Sequence, residues 1–217
     1  MKGLANQTTE AREKAVKLAQ TLSRKRAKAA GDLEKRLERE LKDLRMEHAR
    51  VRIAVEQEAD ADGPKLTASG IDRVEFLFSS NLGELPQPLA RIASGGELSR
   101  VMLAMKTVLA EQDRVPVLIF DEVDAGIGGA VSEVVGKRLR HLSRHGHQVF
   151  CITHLAPIAA QGQGHFAVTK AAKGGRTVTQ VEQLDKAGRV EEVARMLGGE
   201  KITPTIRSTA SEMLKQK

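Results

Sequence analysis

Two short apolar runs constrain this chain more than any other feature. Val117-Leu118-Ile119-Phe120 ends in Asp121-Glu122, and Val149-Phe150-Cys151-Ile152 ends in Thr153-His154. Runs this short and this apolar suit strands of a parallel sheet, buried on both faces. The segment between them predicts a helix over about 130–144, entered through a glycine-rich turn at 126–129. Strand, helix and strand in that order predict an α/β unit, and such sheets bind ligands at the carboxyl ends of their strands. Asp121, Glu122 and His154 all stand at such ends.

The rest of the chain divides by period. From 8 to 48, Ala11, Ala15, Leu18, Leu22, Leu33, Leu37, Leu41 and Leu44 recur at helical spacings amid Lys, Arg and Glu, with Arg26 and Gly31 as interruptions. That stripe suits the arm of a coiled coil or a helix laid on a partner. Residues 49–57 and 72–79 alternate apolar and polar, which predicts an antiparallel strand pair. A helix follows at about 95–111. After the second apolar run come a strand pair at 165–169 and 176–184, joined by Lys173-Gly174-Gly175, and helices at about 188–197 and 203–216. The expected domains are an arm over 1–48 and a lobe over 49–217.

Composition excludes several function classes. Residues 1–50 hold 14 Lys/Arg against 8 Asp/Glu, while the remaining 167 residues are nearly balanced at 21 against 20. The net charge of +7 therefore belongs to the arm, where a basic surface suits phosphate backbones and a solvated charged helix is the plainer alternative. No Trp or Tyr is present, which argues against stacking platforms for single strands. The single cysteine, Cys151, excludes an intramolecular disulfide and a multi-cysteine zinc site, and fits a reducing cytoplasm. No apolar run is long enough for a membrane span, so no membrane partner is expected.

The candidate site residues follow from chemistry at the strand and helix ends. Asp121 is the candidate ligand for Mg²⁺, an ion that prefers oxygen and keeps several waters. Glu122, pointing another way, can polarise a water for attack on a phosphate. Ser94 is a favoured helix N-cap, and Gly95 and Gly96 let backbone approach an anion at that helix start. His154 can donate to a phosphate and sense its presence. The other five histidines show no ligand spacing and are expected at the surface.

In this order, Ser94-Gly95-Gly96-Glu97, Asp121-Glu122, Val123-Asp124 and Thr153-His154 resemble the ABC-type ATPase head shared by SMC proteins and their relatives. The runs Leu89–Lys106, Phe120–Gly129 and Thr153–Ala159 closely resemble the bacterial RecN family. The resemblance implies the C-terminal half of an ABC/SMC-type P-loop NTPase head, α/β in class, with an N-terminal coiled-coil helix. It implies that Ser94, Gly95, Gly96 and Glu97 form the signature motif, which contacts the γ-phosphate of ATP bound to the opposite head. Asp121 is then the magnesium acid, Glu122 the base, Asp124 part of the loop at the head–head interface, and His154 the switch histidine. ATP and Mg²⁺ are the implied cofactors. A head homodimer and the ends of DNA double-strand breaks are the implied partners, in the cytoplasm at the nucleoid.

One departure is large. No G-x-x-x-x-G-K-[ST] phosphate loop occurs in the 217 residues. Around the nearest candidate, Gly136-Lys137-Arg138, Val131 replaces the first glycine and Arg138 the required Ser or Thr. The chain is therefore expected to hold half of a nucleotide site. Hydrolysis of ATP is expected only when a P-loop-bearing N-terminal half is supplied. The alternative is a non-hydrolysing module that binds DNA or dimerises.

Overall fold

The computed structural model describes residues 2–60, 63–92, 94–173, 176–199 and 201–215, which form two compact units. The first comprises residues up to 42 and 46–93, and the second residues 43–45 and 94 onward.

In the first unit, α1 (Lys2–Asp43) is one unbroken helix. Arg26 and Gly31 do not interrupt it. Arg26 turns its guanidinium to Asp72 at 2.9 Å and to the Ser69 carbonyl at 2.8 Å. Thr8, Thr9 and Thr21 each return their hydroxyl to the carbonyl four residues back, so their polar groups stay within the helix. Strand β1 (Arg50–Gln57) leads through a short ribbon, β2 (Ala59–Asp60) and β3 (Gly63–Pro64), to β4 (Asp72–Ser79). β1 and β4 pair antiparallel from Arg50 opposite Ser79 to Gln57 opposite Asp72, as the alternation predicts. A two-residue strand, β5 (Gln87–Pro88), adds to β4, so β1 is an edge.

That edge is covered by α1. The backbone N–H of Val51 donates to Glu38 Oε1 at 3.2 Å, and that of Ile53 to Glu34 Oε1 at 2.7 Å. Four helical residues rise about 6 Å and two strand residues about 7 Å, so two glutamates at that spacing can meet alternate edge amides. The outermost contact runs from Gln57 to the buried Ser23 hydroxyl at 3.0 Å.

The second unit is α/β. It contains α2 (Gly95–Val108), β6 (Val117–Phe120), α3 (Ala130–Arg144), β7 (Gln148–Cys151), α4 (Ala156–Gln161), β8 (Phe166–Lys173), β9 (Arg176–Gln183), α5 (Lys186–Gly198) and α6 (Pro204–Lys215). β6 and β7 are parallel, with Ile119 opposite Phe150 and Phe120 opposite Cys151. Leu103, Leu118, Phe120, Val123, Val135 and Leu142 form buried core around them. A second cluster joins Ala156 of α4 to Val193 and Ala194 of α5 and Ala210 of α6. β8 and β9 form an antiparallel hairpin. Its predicted Gly174-Gly175 turn lies outside the described residues, as do Ala93 and the last residues of the predicted final helix.

Two expectations need correcting. The apolar strands are not buried on both faces: Val117, Ile119, Phe150 and Ile152 are 42–70% exposed on one side of the pair. Among the described residues β6 and β7 are the only parallel strands, with helices on one face and none on the other. His147 is not at the surface either. It is buried, its Nδ1 within 2.7 Å of the Val115 carbonyl just before β6. Gly136, in the run nearest to a phosphate loop, lies inside α3. A Cβ there would come within 2.8 Å of Gln161 and 3.1 Å of the Pro157 carbonyl, so this glycine serves the approach of α4.

Candidate nucleotide-site residues at the strand ends

The site grows from the start of α2. Ser94 is the N-cap in extended conformation, and its Oγ accepts the Glu97 N–H at 3.4 Å. Gly95 and Gly96 follow as the first helical residues. The turn after β6 packs directly on them. A Cβ at Gly95 would collide with the Glu122 carboxylate, and one at Gly96 would lie 2.7 Å from Ala125 Cβ and 3.1 Å from the Glu122 carbonyl. The glycines are thus needed for helix and turn to meet. The Glu122 carboxylate lies at the N-terminus of α2, where free N–H groups and the helix dipole favour an anion.

Glu122 adopts a left-handed backbone, φ 56°, which is uncommon outside glycine and concentrates at functional sites. Asp121 Oδ1 accepts the Glu122 N–H at 2.9 Å, and the residue is exposed at the carboxyl end of β6. Its other carboxylate oxygen can serve a cation. Among the described residues no group of three His, Cys, Asp or Glu side chains could hold a metal by itself. A single carboxylate suits Mg²⁺, which takes most of its ligands from water and phosphate.

Two residues that carried no assigned role fasten the turn to the helix. Ser99 Oγ donates to the Asp121 carbonyl at 2.6 Å, and Arg100 Nη1 donates to the Ala125 carbonyl at 2.7 Å. Arg100 is buried, which holds its pKa below the usual guanidinium value. Its sequence signal was spacing: it stands four residues after Gly96, on the same helical face.

Asp124 is buried and faces inward. Its Oδ2 accepts the Thr153 hydroxyl at 2.6 Å and the His154 N–H at 3.0 Å, and lies 3.1 Å from His154 Nδ1. Thr153 Oγ1 in turn accepts the Leu155 N–H at 3.0 Å, at the entry to α4. The His154 side chain is 75% exposed, so the ring reaches solvent while its backbone is pinned. Thr153 had no assigned role; its hydroxyl links the two strand ends. Cys151 lies beneath this cluster. Burial, then the Asp124 and Asp121 carboxylates, push its thiol up to about 12, so it stays protonated and is not a nucleophile at neutral pH.

The structure therefore gathers Ser94, Gly95, Gly96, Asp121, Glu122, Asp124 and His154 at one end of the parallel pair. Glu97 caps the arrangement through its backbone rather than its carboxylate.

No family model matches the chain. Curated relatives do. The chain is 43% identical over 211 residues to DNA repair protein RecN of Haemophilus influenzae, covering 97% of this chain and 37% of that protein. It is 41% identical over 208 residues to DNA repair protein RecN of Bacillus subtilis, covering 91% and 36%. Against the Treponema pallidum protein of the same name, identity is 53% over 146 residues, 67% and 25% of the two lengths. Among solved structures, the Smc head domain with a coiled coil and joint from Pyrococcus yayanosii superposes with a TM-score of 0.52 at 21% identity. That match covers 81% of this chain and 30% of that one, and speaks for the fold alone. In sequence, then, the chain is similar to RecN proteins over most of its own length while spanning about a quarter to somewhat over a third of theirs, and it has the fold of an SMC head domain.

Proposed function

We propose that the chain supplies the signature helix, the acidic strand end and the switch histidine of a composite ATP site in an SMC-type head that serves DNA double-strand break repair. The observation that carries this is the convergence of Ser94–Gly96, Asp121, Glu122 and His154 at one strand end, fastened by Ser99, Arg100 and Asp124. The names of the RecN relatives support the process.

The residues divide the work. Asp121 offers an oxygen to Mg²⁺, which when bound neutralises charge on the phosphates of ATP. Glu122 orients and deprotonates a water. His154 donates a hydrogen bond toward the terminal phosphate. The Ser94–Glu97 helix start presents backbone N–H groups to a phosphate held by a second head, and Asp124 fixes the turn that such a head would meet. A nest for the β- and γ-phosphates must come from elsewhere, because this chain has no phosphate loop. The N-terminal P-loop half of a RecN head is the proposed partner, with dimerisation through heads and DNA ends as further partners. The arm over 1–48, the lobe over 49–217 and a place at the cytoplasmic nucleoid belong to the same proposal.

The test is ATP turnover of this chain, alone and mixed with a separately produced N-terminal RecN half. Turnover is expected only in the mixture, and Glu122→Gln is expected to lower it by about 100-fold or more with ATP binding kept. Equal turnover by the Gln variant would remove Glu122 from its role.

A further inference from the structure

The fold turns part of the charge of α1 inward. Its acids Glu34 and Glu38 turn inward to the edge amides of β1, and Arg26 is taken by Asp72. Its buried positions, Ala19, Ser23, Ala30, Leu37 and Leu41, follow spacings of four and seven along one face. Lys14, Lys17, Arg24, Lys28, Lys35 and Arg39 follow spacings of three, four and seven along the opposite face, and all six are exposed. None of the six forms an ion pair among the described residues. Arg24 and Arg39 bond only to Thr21 and to the Lys35 carbonyl of their own helix. Asp32 falls beside the row, and Glu10 and Glu13 stand four residues before Lys14 and Lys17 at its start.

We infer that this outward row is a binding surface for the phosphate backbone of duplex DNA. A solvated helix surface ordinarily mixes both signs; here Glu34 and Glu38 are turned to the sheet, and between Lys17 and Arg39 Asp32 is the one acid left beside the cations. From Lys14 to Arg39 the row runs about 37 Å at 1.5 Å per residue, which matches about 11 base pairs of duplex at 3.4 Å each. The row has no aromatic residue, so nothing in it stacks on unpaired bases, and the surface suits duplex rather than single strands. It reads no base edges and is sequence-independent. The inference rests on the reading of DNA as a partner and names the surface that touches it.

The test is binding of the 217-residue chain to a fluorescent 30-base-pair duplex across a salt series. Lys17→Gln, Arg24→Gln and Lys28→Gln are combined in one variant. Lys170→Gln, Arg176→Gln and Lys186→Gln, which remove the same charge from the other unit, are combined in a second. The first variant is expected to bind at least about tenfold more weakly and to lower the slope of log K against log salt by about 2 to 3. The second is expected to keep the wild-type slope. Equal weakening by both variants, or none by the first, would overturn the surface while leaving DNA as a partner. Absence of duplex binding by the wild type would overturn both, as would binding confined to vesicles carrying anionic lipid.

Discussion

Two of the four sheets among the described residues are finished in opposite ways. In the first unit, β1 is an edge whose amides are met by Glu34 and Glu38, so the chain closes its own sheet. In the second, the parallel pair β6–β7 keeps Val117, Ile119, Phe150 and Ile152 exposed, and nothing among the described residues covers them. One sheet is closed by its own helix, and the other leaves an apolar face open. Antiparallel strands joined locally can be finished by one helix. A parallel pair needs further strands and a second helix layer. Relatives nearly three times as long have sequence from which such a layer can come.

The contrast can be broken at several points. The largest effect is expected where the open sheet is tied at its ends. Asp124→Ala removes the acceptor of the Thr153 hydroxyl and the His154 amide at a buried position, and should destabilise the second unit by about 3 kcal/mol. Urea unfolding followed by hydrogen exchange of β6 and β7 would measure it. A loss below about 1 kcal/mol would mean that apolar packing alone holds the strand ends. A smaller effect is expected at the closed sheet. Glu34→Ala with Glu38→Ala leaves two edge amides without protein partners but open to water, costing about 1–2 kcal/mol and inviting edge-to-edge association. Unchanged stability and no association would show that the helix is not what protects β1. The smallest effect is expected on the open face. Ile119→Ser with Ile152→Ser should shift the stability of this chain by no more than about 0.5 kcal/mol per site, since both residues are more than half exposed. The same variant should fail to gain ATP turnover with an N-terminal RecN half. A large stability loss in the chain alone would mean that the face is already covered.

Much of this was legible in the residues. The alternation of Val51, Ile53 and Val55 against Val74, Phe76 and Phe78 gave the antiparallel pair because period two has one structural meaning. The Ser-Gly-Gly start and the Asp-Glu and Thr-His ends were legible because each joins a polar residue to an abrupt change of period. Other features were not. Gly31 and Arg26 read as breaks in a helix, yet α1 runs through them: one glycine costs only about 1 kcal/mol, and Arg26 gains Asp72. His147 read as surface because nothing local shows that its ring meets a carbonyl 32 residues earlier. Ser99, Arg100 and Thr153 stood inside the motifs without a role: spacing puts Arg100 on the glycine face, but it names neither the distant backbone carbonyls nor the buried carboxylate that these side chains bond.

The sequence alone determined the order of elements, the family resemblance and the chemical types at the strand ends, because period, caps and motif spacing are local properties of a chain. Contacts between distant residues decided that Asp124 faces inward, that Gly95 and Gly96 make room for Glu122, and that α1 turns Glu34 and Glu38 to the sheet. They also decided that one face of the parallel pair stays open. Each of these depends on which distant groups come within contact, and burial and hydrogen bonding, unlike periodicity, are properties of the pair and not of the residue.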